Sequence, residues 1–315
     1  MNIYEEVKGA STIGISGHVR PDGDCVGSAM GLYLYLKKAC PEAEVQVMLE
    51  KPADIFGCIK GIEDIHTDFT TQIDVFDVFI AVDCGKDRIG EAEKYFDSAK
   101  KTINIDHHVS DSGSGEVNYI DASASSASEL VYKTMEDKTL IDAEIAKAIY
   151  IGIIHDTGIF QYSNTSPETL RIAAELIAYG FDFSRLIDET FYEKTYVQNQ
   201  ILGRALLESI LFMDGRCVVS MIDKKTMNFY QAQPSDLEGI VSQLRNTRGV
   251  ECAIFMYQLE TMKYKVSLRS NGKVNVAKVA EFFGGGGHVR AAGVTMQGTF
   301  HDITNNLAAQ IAQQL

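Results

Sequence analysis

The chain has 315 residues, more than a single domain core usually holds, and its 45% hydrophobic content predicts two packed domains rather than disorder. With 43 acidic residues against 29 basic ones, the formal charge of −14 excludes a broad basic platform for long nucleic acid, although short anionic substrates remain compatible with it. Apolar runs such as Ala148 to Ile154 are too short to cross a bilayer, the N-terminus lacks a secretory pattern, and six cysteines without a C-x-x-C pair read as reduced thiols, so a cytoplasmic protein is expected.

In chain order, Ile13 to Ser16, Glu44 to Leu49, Val75 to Val82 and Thr102 to Ile105 read as strands, with helices predicted over Val26 to Ala39 and Asp87 to Lys100. The alternation predicts an α/β domain built on a mainly parallel sheet with helices on both faces. Gly27 and Gly31 are four apart in the first helix, a spacing that suggests close packing against the sheet. Helical patterns continue from Ser125 to about Ile210, and the proline-free stretch from Ser184 predicts a long connecting helix. Beyond it, strands at Arg216 to Ile222, Val250 to Leu259 and Tyr264 to Leu268, and helices at Pro234 to Asn246, Val274 to Phe283 and Asp302 to Leu315, predict a smaller C-terminal α/β domain. The expected boundaries are 1–185, a helical linker at 186–209, and 210–315.

Acidic and histidine residues then fall at predicted strand ends, where open α/β sheets assemble ligand sites. His18, Asp22 and Asp24 occupy one seven-residue turn in which Pro21 and Gly23 alternate with the polar residues. Alone, Asp22-Gly23-Asp24 reads equally well as an ordinary turn or helix cap. Asp83, however, ends the apolar run Val78 to Val82, Asp106-His107-His108 follows Ile103-Asn104-Ile105, and Asp156 follows Ile153-Ile154-His155. A lone buried carboxylate is costly, and bound metal removes that cost, so four such placements point to metal coordination. Carboxylate and imidazole donors without thiolate suit manganese, magnesium or iron, and the four carboxylates Asp22, Asp24, Asp83 and Asp156 would balance two divalent ions. Two ions about 3.5–4 Å apart and bridged by one carboxylate are suited to in-line phosphoryl displacement. Cys25 and Cys84 beside these residues read as buried packing, and His155 reads as a partner or surface histidine rather than a ligand.

These motifs resemble the DHH phosphoesterase superfamily: His18-x-x-x-Asp22-Gly23-Asp24, Val82-Asp83-Cys84-Gly85, Asp106-His107-His108 and Asp156-Thr157-Gly158 match its four N-terminal motifs. Gly284 to Gly287, His288, Ala291, Ala292 and Gly293 resemble the motif of the DHH-associated C-terminal domain. The resemblance implies one ion held by His18, Asp22 and Asp83, and another by Asp24, Asp83, His107 and Asp156, most naturally Mn(2+), with Asp83 as the bridge. It also implies that His108 faces the substrate and Asp106 orients a neighbouring histidine. Arg269, Ser270, Gly286, Gly287 and His288 are then expected to bind substrate, with Arg245 and Arg248 either adding to them or forming a solvated helix end. Tyr162 to Thr165 resembles a segment of nanoRNase-like members and is expected to serve loop and cap structure before Pro167, with substrate contact as the lesser alternative.

Length and the glycine-histidine motif are most similar to the nanoRNase and 3'-phosphoadenosine 5'-phosphate phosphatase branch, which implies short RNA or small nucleotides as substrates. Phosphodiesterase action on cyclic dinucleotides or their linear products is the neighbouring alternative, and a catalytically inactive nucleotide-binding module is the remote one. A homodimer is compatible with the sequence.

Overall fold

Short strands of four or five residues build the first sheet of the computed structural model, which describes residues 1–109 and 111–315. The chain divides into two units, Met1–Glu193 and Lys194–Leu315. The first contains α1 (Ile3–Val7), β1 (Thr12–Ser16), α2 (Gly23–Ala39), β2 (Glu44–Met48), β3 (Val78–Val82), α3 (Glu93–Ser98), β4 (Thr102–Asp106), β5 (Val117–Ile120), α4 (Ala127–Thr134), α5 (Ala143–Asp156), α6 (Pro167–Ile177) and α7 (Phe183–Ile187). Its strands lie in the order β2-β1-β3-β4-β5, and every pairing is parallel. All five residues of β3 are buried, as a strand covered on both faces requires. Val78, Ile80 and Val82 face the core shared with α2, α4 and α5, while Phe79 and Ala81 face Phe76, Phe96 and Ala92 on the other side.

The second unit contains α8 (Tyr196–Leu207), β6 (Ile210–Phe212), β7 (Cys217–Ile222), α9 (Lys224–Tyr230), α10 (Ile240–Arg245), β8 (Cys252–Glu260), β9 (Lys263–Ser270), α11 (Val276–Phe282), β10 (Gly286–His288), β11 (Ala291–Gln297) and α12 (Phe300–Ala312). The sheet order is β10-β11-β9-β8-β7-β6, antiparallel except between β7 and β8. Tyr264, Val266 and Leu268 of β9 face the core with α11 and α12, whereas Val218, Ala253 and Phe255 pack with α8 and α10 on the opposite face.

Three sequence expectations need correction. The predicted helix over Asp87 to Lys100 is two short 3₁₀ turns followed by α3 alone, because Gly90 sits at φ +59°, outside the helical region. No long helix starts at Ser184: α7 passes into a π turn at Asp188–Tyr192, Glu193 is extended, and Thr195 with Gln198 starts α8 anew through reciprocal capping. Gly27 and Gly31 pack against α5 rather than the sheet; a Cβ on Gly27 would lie 2.6 Å from the Ala148 carbonyl oxygen, and one on Gly31 2.4 Å from the Ile149 Cδ1.

Candidate metal centre

The strand order brings the carboxyl ends of β1, β3 and β4 side by side, so His18, Asp83 and Asp106 to His108 emerge at one edge of the sheet. The start of α2 and the end of α5 reach the same edge, carrying Asp22 and Asp24 from one side and Asp156 from the other. Asp22 is the N-cap of α2, where its Oδ1 accepts the N–H groups of Asp24 and Cys25 at 3.1 Å. Gly23 is required for space rather than conformational freedom, since a Cβ there would lie 2.2 Å from the His155 Cγ. His155 is wedged between Phe56 and Phe191, with ring centroids at 5.1 and 4.3 Å. Burial depresses its pKa to about 4, so it is a neutral wall behind the turn rather than a surface residue.

Asp83 is 2% exposed, with φ at +61°, a backbone region that a non-glycine residue adopts only where its surroundings compel it. Its N–H donates to the Ile105 carbonyl at 2.9 Å, and its two carboxylate oxygens face different histidines. Oδ2 lies 3.3 Å from the His18 Nε2, while Oδ1 lies 3.5 Å from the His107 Nε2. Asp22 adds an oxygen 3.6 Å from the His18 Nε2. Around the His107 Nε2, Asp24 and Asp156 add oxygens at 3.7 and 3.6 Å. These separations exceed good hydrogen bonds. Two donors on one ion at ~2.1 Å stand about 3.0–3.4 Å apart at right-angle to tetrahedral angles, close to what is seen. His18 Nδ1 lies 2.9 Å from the Val19 carbonyl, a contact that takes its proton and leaves Nε2 turned toward the carboxylates.

The electrostatics fit a cation pair equally well. Asp24, fully buried, is raised well above the usual carboxylate range by burial and by Asp83 and Asp156. Burial and Asp83 also raise Asp156, to about 6, against the opposing pull of His107. Burial disfavours the charged imidazoles, yet the surrounding carboxylates lift His18 to about 10 and His107 to about 9. In effect, protons occupy the place that divalent ions would take. The α4 amides of Ala127 and Ser128 also donate to the Asp24 carboxylate at 2.6 and 2.9 Å and hold it in place. Cys25 and Cys84 are buried; the Cys25 Sγ lies within 4.8 Å of donor atoms on His18 and Asp83.

Asp106 organises the turn beyond β4. Its Oδ1 accepts the His107 and His108 N–H groups at 2.7 and 3.2 Å and the His108 Nδ1 at 2.7 Å. The hydrogen bond to Asp106 raises the His108 pKa and leaves Nε2 of this part-exposed ring free to meet a ligand.

In the second unit, pairing of His288 with Ala291 and of Ala291 with Arg269 places the two basic residues on one face, about 9–10 Å apart across two strands. Beside Arg269, a cavity of about 410 Å³ is lined by Phe255, Tyr257, Lys265 and Ser267 among others. Burial and Arg245 depress the Arg269 pKa, and its Nη1 donates to the Leu268 carbonyl. Ser270 faces the opposite way and is fully buried. Only part of the glycine run is an open loop, because Gly286 and Gly287 belong to the edge strand β10. Gly287 has φ +146°, and a Cβ there would lie 2.5 Å from the Ala291 carbonyl oxygen.

Sequence reasoning gave the segment of Asn164 a loop and cap role and missed the contact of its amide with Asp156, and it missed the α4 amides on Asp24. Loop position hid the first, and backbone donors leave no residue-type signal.

Residues 12–153 match the DHH family, N-terminal domain, and residues 214–314 match the DHHA1 domain. The bifunctional oligoribonuclease and PAP phosphatase NrnA of Thermus thermophilus is 32% identical over 90% of this chain and 84% of its own length. The protein of the same description from Bacillus subtilis is 28% identical over 90% of this chain and 89% of its own. Among solved structures, an exopolyphosphatase-related protein from Bacteroides fragilis superposes with a TM-score of 0.86 at 27% identity, covering 99% of this chain and 94% of that one. Thermus thermophilus RecJ, crystallised with Mn2+, shares the fold at a TM-score of 0.55 and 16% identity, with 99% of this chain and 54% of that one covered.

Proposed function

We propose that this chain, which belongs to the DHH family, hydrolyses phosphoester bonds in short oligoribonucleotides and in 3'-phosphoadenosine 5'-phosphate, using two divalent ions, most naturally Mn(2+). The division of the Asp83 carboxylate between His18 and His107 supports this reading, because a carboxylate set between two imidazoles would serve two adjacent ions as a shared ligand. The NrnA relatives, described as oligoribonucleases and PAP phosphatases, support the choice of substrate.

On this reading the first unit is the catalytic domain and the second binds substrate. His18, Asp22 and Asp83 would hold one ion; Asp24, Asp83, His107 and Asp156 would hold the other. Bound there, the ions would acidify water and neutralise charge on the reacting phosphate. The chain's own residues do the rest. Asp106 fixes the His108 ring through Nδ1, so Nε2 can hold a proton for the departing oxygen. Arg269 and His288 would bind a non-reacting phosphate or base, with Gly286 and Gly287 offering the backbone of an edge strand that side chains do not obstruct. Ser270, buried behind the same strand, would act by packing beneath Arg269. No helix among the described residues is long and apolar enough to cross a membrane, and we place the enzyme in the cytoplasm.

A substrate panel tests the proposal: purified protein with manganese is given dinucleotides, 3'-phosphoadenosine 5'-phosphate, a cyclic dinucleotide and pyrophosphate. Turnover of the first two should exceed that of the others. Preference for the cyclic dinucleotide would move the chain to that neighbouring activity, and hydrolysis of none would remove the catalytic reading.

A further inference from the structure

The loop after α5 folds back on the residue that ends the helix. The Asn164 Nδ2 lies 3.1 Å from the main-chain carbonyl of Asp156, 3.3 Å from its Oδ2 and 2.9 Å from the carbonyl of Ser125. Three oxygens around one nitrogen fix the orientation of the amide, since a flipped group would set oxygen against all three. Among the described residues, no other hydrogen bond reaches the Asp156 carboxylate, and its Oδ2 is the oxygen that faces the His107 Nε2. One amide that grips the main-chain and side-chain oxygens of the same residue restricts that side chain to a single orientation.

From this geometry we infer that Asn164 is a positioning residue, holding the Asp156 carboxylate toward the ion position it shares with Asp24 and His107. The inference rests on the two-ion reading above.

The anchor on the far side is rigid. Ser125 gives its N–H and Oγ to the Glu129 Oε2 at 3.3 and 2.7 Å, and Thr169 Oγ1 donates to the same oxygen at 2.7 Å. Lys133 pairs with the other oxygen at 2.5 Å, and Glu129 is 1% exposed. Asn164 therefore joins an ion ligand to a buried, fully paired carboxylate through one loop carbonyl. The chemistry also demands a neutral donor. A lysine would compete with the ion for Asp156, and a carboxylate would repel it. Removing a residue that orients a metal ligand typically weakens metal binding by about 10–100-fold. Because Asn164 hydrogen-bonds only Asp156 among the six proposed ligands, the loss should fall on one of the two ion positions.

Calorimetric titration of manganese into metal-free protein tests this with Asn164→Asp, which preserves shape but replaces the donor, and with Asn164→Ala, which carries the same readout should the first variant not fold. Wild type should bind two ions. The variants should keep one binding event and weaken the other by about 10–100-fold, with the Michaelis constant for a dinucleotide at saturating manganese unchanged. Two events of wild-type affinity in both variants, or equal weakening of both events, would overturn the positioning role and leave the two-ion reading standing. Failure of wild type to bind two ions would instead remove that reading and this inference with it.

Discussion

At the scale of residues, the centre is a set of acids and imidazoles that hold protons among themselves: Asp24 and Asp156 resist ionisation, whereas His18 and His107 keep their charge. His18 and His107 stand at about 10 and about 9, above the ordinary 6.5, because carboxylates outweigh the effect of burial. A proton held more tightly in the folded state stabilises the metal-free fold fully below the unfolded pKa, and that contribution disappears as pH rises through the folded value. The metal-free protein should therefore melt at progressively lower temperature between about pH 7 and about pH 10, with the steepest loss near about pH 8 and a levelling toward the alkaline end. Metal affinity should move the other way, since coordination requires neutral imidazole and releases protons. Manganese titrations near neutral pH in two buffers of different ionisation enthalpy should reveal that release. Equal heats in the two buffers, together with a flat melting profile, would contradict the assignment.

Residue type made much of this centre legible: His18, Asp22, Asp24, Asp83, His107 and Asp156 each carry a donor, and the fold brings them together. His155 was not legible, because an imidazole buried between Phe56 and Phe191 looks in sequence like any other histidine. Nor was it legible that Ser270 turns away from Arg269, because the predicted strand stopped at Leu268, whereas β9 runs on through Ser270 and its alternation then sets the two on opposite faces.

At the scale of elements, α2 and α5 must approach closely to bring Asp22, Asp24 and Asp156 to one end of the sheet, and glycine permits that approach. A methyl on Gly27 would lie 2.6 Å from both the Ala148 oxygen and the Gly152 nitrogen, backbone atoms that cannot swing aside. Gly27→Ala should therefore destabilise the fold by about 1–3 kcal/mol, the range for overpacking a close contact. Gly203 in α8 has nothing within 4 Å of such a methyl. Gly203→Ala should be neutral or stabilise by up to about 1 kcal/mol through helix propensity. Urea unfolding of the two variants checks the pair; equal effects would mean that the α2 and α5 backbones are not in the contact described.

The strands β1 to β4 were readable because apolar residues alternate in β1, β2 and β4 and run unbroken through β3. β5 is half-buried at the sheet edge, β6 and β10 have three residues each, and β11 opens with Ala-Ala-Gly, so none carries a strong alternation. α9, with seven residues, is too short for a helical period to stand out. The break before α8 depends on capping by Thr195, a local hydrogen bond that competes with the helical propensity of the stretch around it.

At the scale of the whole molecule, a formal charge of −14 coexists with a site proposed to handle phosphate. Two divalent ions would resolve the conflict locally by supplying the positive field that the surface lacks. Every proposed ligand, from His18 to Asp156, belongs to the first unit, while Arg269 and His288 belong to the second. The two matched family domains fall one in each unit, and the sequence expected two domains from chain length, element pattern and family resemblance. Two ions and a bridging Asp83 were expected from charge balance and family resemblance; what sequence could not give is which imidazole each Asp83 oxygen faces, because that depends on where two oxygens of one side chain point.

That sharing is the central claim, and counting ions in an Asp83→Asn variant tests it most directly. By calorimetry or elemental analysis, wild type should hold two manganese ions per chain, and the folded variant should bind both markedly more weakly, because each loses a common ligand. Two ions bound at wild-type affinity, or weakening of only one, would contradict a bridging Asp83.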